Sequence, residues 1–264
     1  MRARQVAVVA AACLSIWLLA VLVVGTGGGA GEAIIPAMTI PDVSTSVVII
    51  QPPDTVSVPD RHGIDPTLLD RVAGSTVRVR GLDCKLAQFG TGFVVAPDLI
   101  ATGAHVVAGI AAPIVIVRGT YVSTRVVAFD PVSDLALLRP TGDVELGDPL
   151  VLGEPRRGAV GAVLAYGDDD GPVVLPVLVE RLIRATGEDI YGQPAGGRDA
   201  IELLANIVSG HSGAPVVDAD GLVVGILFSR LRGGGSVAYA VQSGELAALI
   251  DGLARGEQAA GPCR

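Results

Sequence analysis

The chain has 264 residues, half of them apolar, and a net charge of −8. That acidic balance argues against nucleic acid as a partner. The length is ample for a buried core, even after part of the apolar share is assigned to one N-terminal run.

Arg2 and Arg4 precede an uncharged run from Gln5 to Val24, which has membrane-spanning length. The arginines favour an N-terminus held in the cytoplasm. Residues 1–24 are therefore expected to form a membrane anchor, one transmembrane helix inserted through residues 5–24. A cleaved signal sequence, giving a secreted protein, is the competing reading. The run is long for a signal, and Gly25 to Gly31 offers no Ala-x-Ala site. Cys13 lies inside the run and reads as a membrane-buried apolar residue. Residues 25–64, with five prolines from Pro36 to Pro59, read as an extended Pro/Gly-rich linker. Val47 to Ile50 is its one candidate strand. Asp65 to Val72 predicts a short capped helix with Pro66 in the first turn, opening a globular domain over 65–264.

From Ser75 the pattern shifts to period two and short apolar runs. Thr76–Arg80, Gln88–Val95, Leu99–Thr102, Ile114–Val117, Thr124–Ala128 and Leu135–Leu138 predict six strands. A second set spans Val160–Tyr166, Val173–Leu182 with a break, Ala200–Leu204, Pro215–Val217, Leu222–Phe228 and Val237–Val241. Two such sets suit an all-β fold of two barrels, at about 74–145 and 150–242. Ser243 to Ala254 predicts a C-terminal helix with Leu246, Leu249, Ile250 and Leu253 on one face. Asp168-Asp-Asp-Gly171 lacks the ligand spacing of a calcium loop and reads as a solvated turn. No metal and no cofactor is expected.

Chemistry concentrates in Val208 to Asp218, where Gly210-His211-Ser212-Gly213-Ala214-Pro215 forms a small-residue turn between apolar runs. Glycines around a serine let the backbone bend sharply and expose the hydroxyl. A serine nucleophile needs a general base, and the base an orienting acid. The chain has three histidines. His62 precedes the folded region, and His211 is adjacent to Ser212, from which a side chain rarely turns onto its neighbour. His105, at the end of Leu99-Ile-Ala-Thr-Gly-Ala-His105, is the candidate base. Asp134, in Asp130-Pro-Val-Ser-Asp134-Leu-Ala-Leu-Leu138, begins an apolar strand and is the candidate acid. An α/β-hydrolase would need acid and histidine after the serine, and no histidine follows Ser212. The order His, Asp, Ser is that of chymotrypsin.

Gly92-Phe-Val-Val, Ala101-Thr-Gly-Ala-His105-Val-Val, Asp130 to Leu138 and Gly210-His-Ser212-Gly-Ala-Pro together resemble bacterial trypsin-like proteases of the HtrA/Deg kind. Ile183 to Gly192 and the cysteine near the C-terminus resemble the MarP-type membrane-anchored proteases of mycobacteria and their relatives. The resemblance covers about 65–264. It implies a chymotrypsin-like double β-barrel serine endopeptidase acting through His105, Asp134 and Ser212, with an oxyanion hole from the N–H groups of Gly210 and Ser212. It places Asn206, Phe228 and Ser229 at the substrate pocket. The residues after the C-terminal helix are too few for a PDZ module. The implied location is the cell membrane, with the domain on the periplasmic or cell-wall side and a role in envelope or acid stress. Partners are then a protein or peptide substrate and the membrane, in a favoured monomer.

Besides Cys13, Cys84 and Cys263 form an even pair that an oxidising compartment would link. MarP-type proteases carry a similarly placed pair, whereas two free thiols are the alternative. The family pattern has Asp or Asn before the nucleophile, where this chain has His211, and often Gly at the place of Ala214. His211 is expected to lie beneath the turn, pointing away from substrate. These departures leave open a pseudoprotease, a tethered barrel that holds peptide without cutting it.

Overall fold

The computed structural model of the protein describes residues 57–167, 171–230 and 236–264. The expected anchor and nearly all of the linker lie outside them, as do Asp168 to Asp170. No helix among the described residues is long and apolar enough to cross a membrane.

The first described helix, α1, runs Pro66–Ser75. Asp65 caps it by accepting the Thr67 N–H at 2.8 Å, and Pro66 supplies the preset φ of a first turn. Barrel one follows: β1 Thr76–Leu82, β2 Ala87–Ala96, β3 Leu99–Gly103, the one-turn helix α2 Ala104–Val107, β4 Ile114–Val117, β5 Thr120–Asp130 and β6 Leu135–Pro140. Barrel two comprises β7 Val160–Tyr166, β8 Pro172–Glu188, β9 Pro194–Leu204, β10 Pro215–Asp218, β11 Val223–Arg230 and β12 Val237–Gln242. Helix α3, Ser243–Gly252, closes the fold and passes into a 3-10 turn, Leu253–Arg255.

Each barrel closes through six antiparallel strands, in the order β1-β2-β3-β6-β5-β4 and, with the same connectivity, β7-β8-β9-β12-β11-β10. The alternation read from sequence explains the burial. Val77 and Val79 fill barrel one, while Arg78 and Arg80 stand on its outer face. Val163, Ile201, Val216 and Leu227 fill barrel two. A third cluster joins the barrels: Phe93, Leu137, Leu164 and Ile226 are fully buried there, with Val72 of α1 and Leu246 of α3. Each such side chain contributes roughly 1.5–3 kcal/mol by leaving water. This shared core holds the two barrels, and the cleft between them, in one arrangement.

Two elements exceed the periodicity reading. Strands β8 and β9 form one long hairpin, paired from Leu178↔Leu204 out to Glu188↔Pro194. Its outer part is exposed and polar, so no apolar period marks it. Main-chain pairing and a cross-strand Arg184–Asp199 ion pair at 2.8 Å sustain it instead. The last residues, after the 3-10 turn, run back over barrel one. Gln258 N donates to Val127 O at 2.8 Å and Gly109 N to Gly261 O at 3.1 Å. Cys263 reaches Cys84 on the β1–β2 connection, where the structure joins them as a disulfide with Cα atoms 6.0 Å apart. Gly109, at φ +74°, leaves room for the Cys263 sulfur, since a Cβ there would lie 2.6 Å from it.

Phe93→Ala is expected to cost about 3–5 kcal/mol, because it opens a cavity in the core that joins the barrels. Urea denaturation of the variant checks this. A loss under about 1 kcal/mol would mean that the interface is not tightly packed.

Candidate active site

His105 lies in α2, the single turn that follows β3. Asp134 lies just before β6, with a φ of +57° that a non-glycine residue rarely adopts. The turn Asp130–Asp134 imposes that conformation. Asp130 Oδ1 accepts the N–H groups of Val132 at 2.9 Å and Ser133 at 3.2 Å, and folds the segment back. Asp134 is thereby aimed at α2. Its Oδ1 accepts the His105 backbone N–H at 2.9 Å, and its carbonyl accepts Ala104 N–H at 3.1 Å. The His105 Nδ1 lies 2.8 Å from Asp134 Oδ2 and 3.0 Å from Oδ1. With Nδ1–H donating to the carboxylate, Nε2 keeps its lone pair, which suits a proton acceptor. Asp134 is only 4% exposed.

Barrel two and α3 buttress this acid turn, and the sequence reading did not identify the residues that do so. Glu245 of α3 accepts Ser133 Oγ–H at 3.0 Å through one oxygen and Asp199 N–H at 2.8 Å through the other. Arg198 of β9 donates to Val132 O, and its guanidinium carbon stands 4.2 Å from the Phe228 ring centre. At the hairpin tip, Ile190 N donates to Pro131 O at 3.1 Å. Arg198 and Glu245 look like ordinary surface charges in the sequence, so only their proximity to the turn reveals them.

The serine turn comes from barrel two but is docked on barrel one. Gly210 and Gly213 have φ of +88° and +83°. Gly213 presses on the end of β3: a Cβ there would sit 2.5 Å from Thr102 Oγ1 and 2.8 Å from Gly103 N, two residues before His105. Thr91 fastens the turn with two hydrogen bonds and ties it to β7 with a third. Its N–H donates to Ser212 O at 2.8 Å, its hydroxyl donates to Gly210 O at 3.0 Å, and the same oxygen accepts Tyr166 N–H at 2.9 Å. Among the described residues, the N–H groups of Gly210 and Ser212 have no acceptor, and Ser212 Oγ makes no hydrogen bond. A nucleophile's hydrogen bond to its base is often long before substrate arrives.

His211 is 3% exposed, and its Nδ1 accepts the Val208 N–H at 3.2 Å. Ala214 is fully buried among the barrel-two core residues. Asn206 is exposed, and its Oδ1 accepts Ser236 Oγ–H at 3.0 Å. Phe228 turns toward Arg198 and Tyr239, its ring centre 6.3 Å from that of Tyr239. The side chain of Ser229 lies outside the described set. No cluster of His, Cys, Asp or Glu among the described residues could hold a metal ion.

A base–acid pair on one six-stranded barrel, facing a glycine-bounded serine turn from a second, defines a chymotrypsin-like architecture. Comparison with known proteins agrees. Residues 90–226 match the trypsin-like peptidase domain, and the chain belongs to that family. Serine protease Rv3671c of Mycobacterium tuberculosis is 32% identical over 221 residues, which is 82% of this chain and 54% of that protein. A probable periplasmic serine endoprotease, DegP-like, of Brucella suis is 29% identical over 76% of this chain and 42% of its own length. The chain thus spans about half the length of these curated relatives. The crystal structure of the Rv3671c protease in its active form aligns with a TM-score of 0.69 at 30% identity, covering 81% of this chain and 99% of that one. Its inactive form aligns at 0.65.

Gly213→Ala is expected to push the serine turn off Thr91, because both the positive φ and the contact with β3 exclude a side chain. Circular dichroism should remain barrel-like while reaction of the serine with a fluorophosphonate falls at least tenfold. Unchanged reactivity would mean the docking is dispensable.

Proposed function

We propose that this chain is a serine endopeptidase in which Ser212 attacks a peptide carbonyl. His105 takes the serine proton and then gives it to the leaving amine. Asp134 holds the imidazole with its Nδ1–H turned inward and stabilises the cation that forms. The N–H groups of Gly210 and Ser212 receive the oxyanion, a role in which each donor is worth about 10²–10³ in kcat. The observation that carries this reading is the doubly fixed His105–Asp134 pair beside a serine turn with two unengaged N–H groups.

The proposed setting is extracytoplasmic, with residues 5–24 as the membrane anchor and a stress-related role. It rests on the charge-flanked apolar run, the similarity to Rv3671c and the periplasmic designation of the Brucella relative. A bridge between Cys84 and Cys263 fits an oxidising compartment. By the layout of the resembling family the substrate pocket is proposed near Asn206, whose uncharged amide favours small or apolar side chains before the cleaved bond. A second reading, a tethered module that holds peptide without cutting it, draws on the missing Ser212–His105 hydrogen bond.

A fluorophosphonate probe should label the full chain at Ser212 and leave Ser212→Ala unlabelled. Peptide turnover should fall about 10³–10⁴-fold in His105→Ala and Asp134→Asn, each with its fold intact. Wild-type turnover in Ser212→Ala would refute the assignment, and an unlabelled wild-type serine would favour the holding module. Peptide mapping of the exported protein without reduction should recover Cys84 linked to Cys263, with the closed loop adding up to roughly 5 kcal/mol of stability. Full alkylation of both thiols before reduction would exclude the bridge.

A further inference from the structure

Barrel one carries an open apolar surface where β1 and β2 leave the cleft. Leu82, Phe89 and Tyr121 are 75%, 44% and 64% exposed. With Arg80, Ile110 and Ile114 they line a groove of about 620 Å³. The groove is built into the fold at Gly81, where a Cβ would lie 2.6 Å from the Ile110 side chain.

Arg80 stands between two rings in this groove. Its guanidinium carbon is 5.6 Å from the Phe89 ring centre and 5.9 Å from that of Tyr121. Among the described residues the guanidinium makes no hydrogen bond or ion pair. The carboxylate on the same hairpin is already committed. Asp83 accepts the N–H groups of Leu86 and Lys85 at 2.7 Å and Gln88 Nε2 at 2.8 Å. Those donors, the Leu86 N–H first, hold its carboxyl below the ordinary aspartate range. No carboxylate lines the groove among the described residues. A guanidinium flanked by aromatic rings keeps its N–H edge available for a planar anion.

The groove continues the wall of the cleft. Phe89, Thr91 and Phe93 share the outer face of β2: Phe93 is in the core between the barrels, Thr91 is under the serine turn, and Phe89 is open. Phe89 is therefore about 7 Å along the strand from the residue that docks the nucleophile. The pairing Phe89↔Arg80↔Ile114 carries the surface across two more strands, roughly 10 Å. An extended peptide covers that distance in about three residues.

The endopeptidase reading above, on which this step rests, assigns the half of the substrate. His105 hands its proton to the amine that leaves, so the leaving half begins over barrel one. The acyl half stays on Ser212. We propose that this groove binds the leaving half, taking an apolar side chain within the first few residues after the cleaved bond against Phe89 and Tyr121, followed by an Asp or Glu side chain on Arg80.

The test uses the full chain and internally quenched peptides that share one acyl half. Their leaving halves carry Leu-Asp, Leu-Lys, Ser-Asp or Ser-Lys at successive positions after the cleaved bond. Wild type should favour the Leu-Asp over the Leu-Lys series by about tenfold in kcat/KM, the scale of one charge-assisted hydrogen bond. Arg80→Glu should reverse that preference, and Phe89→Ser should erase the advantage of Leu over Ser. Fluorophosphonate labelling and hydrolysis of a small activated ester, which has no peptide leaving half, should persist in both variants. Equal rates on all four peptide series, with labelling intact, would overturn the groove and spare the endopeptidase reading. Absence of labelling in wild type would remove that reading, and the groove with it.

Discussion

The arrangement depends on one contact: the serine turn of barrel two seated against Thr91, Thr102 and Gly103 of barrel one. A turn with two residues at positive φ has no secondary structure to hold its shape, so its geometry must be imposed from outside. Here the imposition comes from Thr91, which bonds to Ser212 O, Gly210 O and Tyr166 N at once. Gly210 O is occupied by Thr91, while the N–H groups of Gly210 and Ser212 have no acceptor among the described residues. The core around Phe93, Leu137, Leu164 and Ile226 then keeps the two barrels from sliding and pulling that contact apart. Packing between the barrels is in this sense a precondition for the chemistry.

The acid turn obeys the same logic in the opposite direction. It belongs to barrel one, yet barrel two and α3 hold it in place. Its carbonyls at Pro131 and Val132 accept from Ile190 and Arg198, and Ser133 donates to Glu245. A carboxylate buried as deeply as Asp134 is costly unless its oxygens are matched by donors. The His105 backbone N–H and ring Nδ1–H provide that match, and the strained φ of Asp134 is what permits both at once. Each barrel thus fixes a candidate-site loop of the other, so neither half of the site has its geometry alone.

The long β8–β9 hairpin and the C-terminal tail extend this bracing. Tyr191 at the hairpin tip donates to Pro262 O at 3.0 Å, next to Cys263. The tail, the hairpin and the acid turn form one connected strip along the side of barrel one. That strip ends on the β1–β2 hairpin, where Cys263 is joined to Cys84 between Leu82 and Phe89, two residues that line the aromatic groove.

Much of this was legible in the amino-acid sequence, for physical reasons. Period-two apolar runs give a strand its buried face, so Val77, Val79, Ile114 to Val117 and Val160 to Tyr166 were visible as strands. Glycines flanking a lone serine, few histidines and one fixed chain order pointed to His105, Asp134 and Ser212 because each residue type has few other uses in such a setting. The outer β8–β9 hairpin was not legible, since an exposed ribbon held by main-chain hydrogen bonds leaves no apolar period. Nor were Thr91, Arg198 and Glu245, whose roles come from partners distant along the chain, such as Gly210, Val132 and Asp199. Residue type and spacing determine which chemistry a chain can hold. Which side chains aim, brace and expose those groups is decided only when the two barrels close on one another.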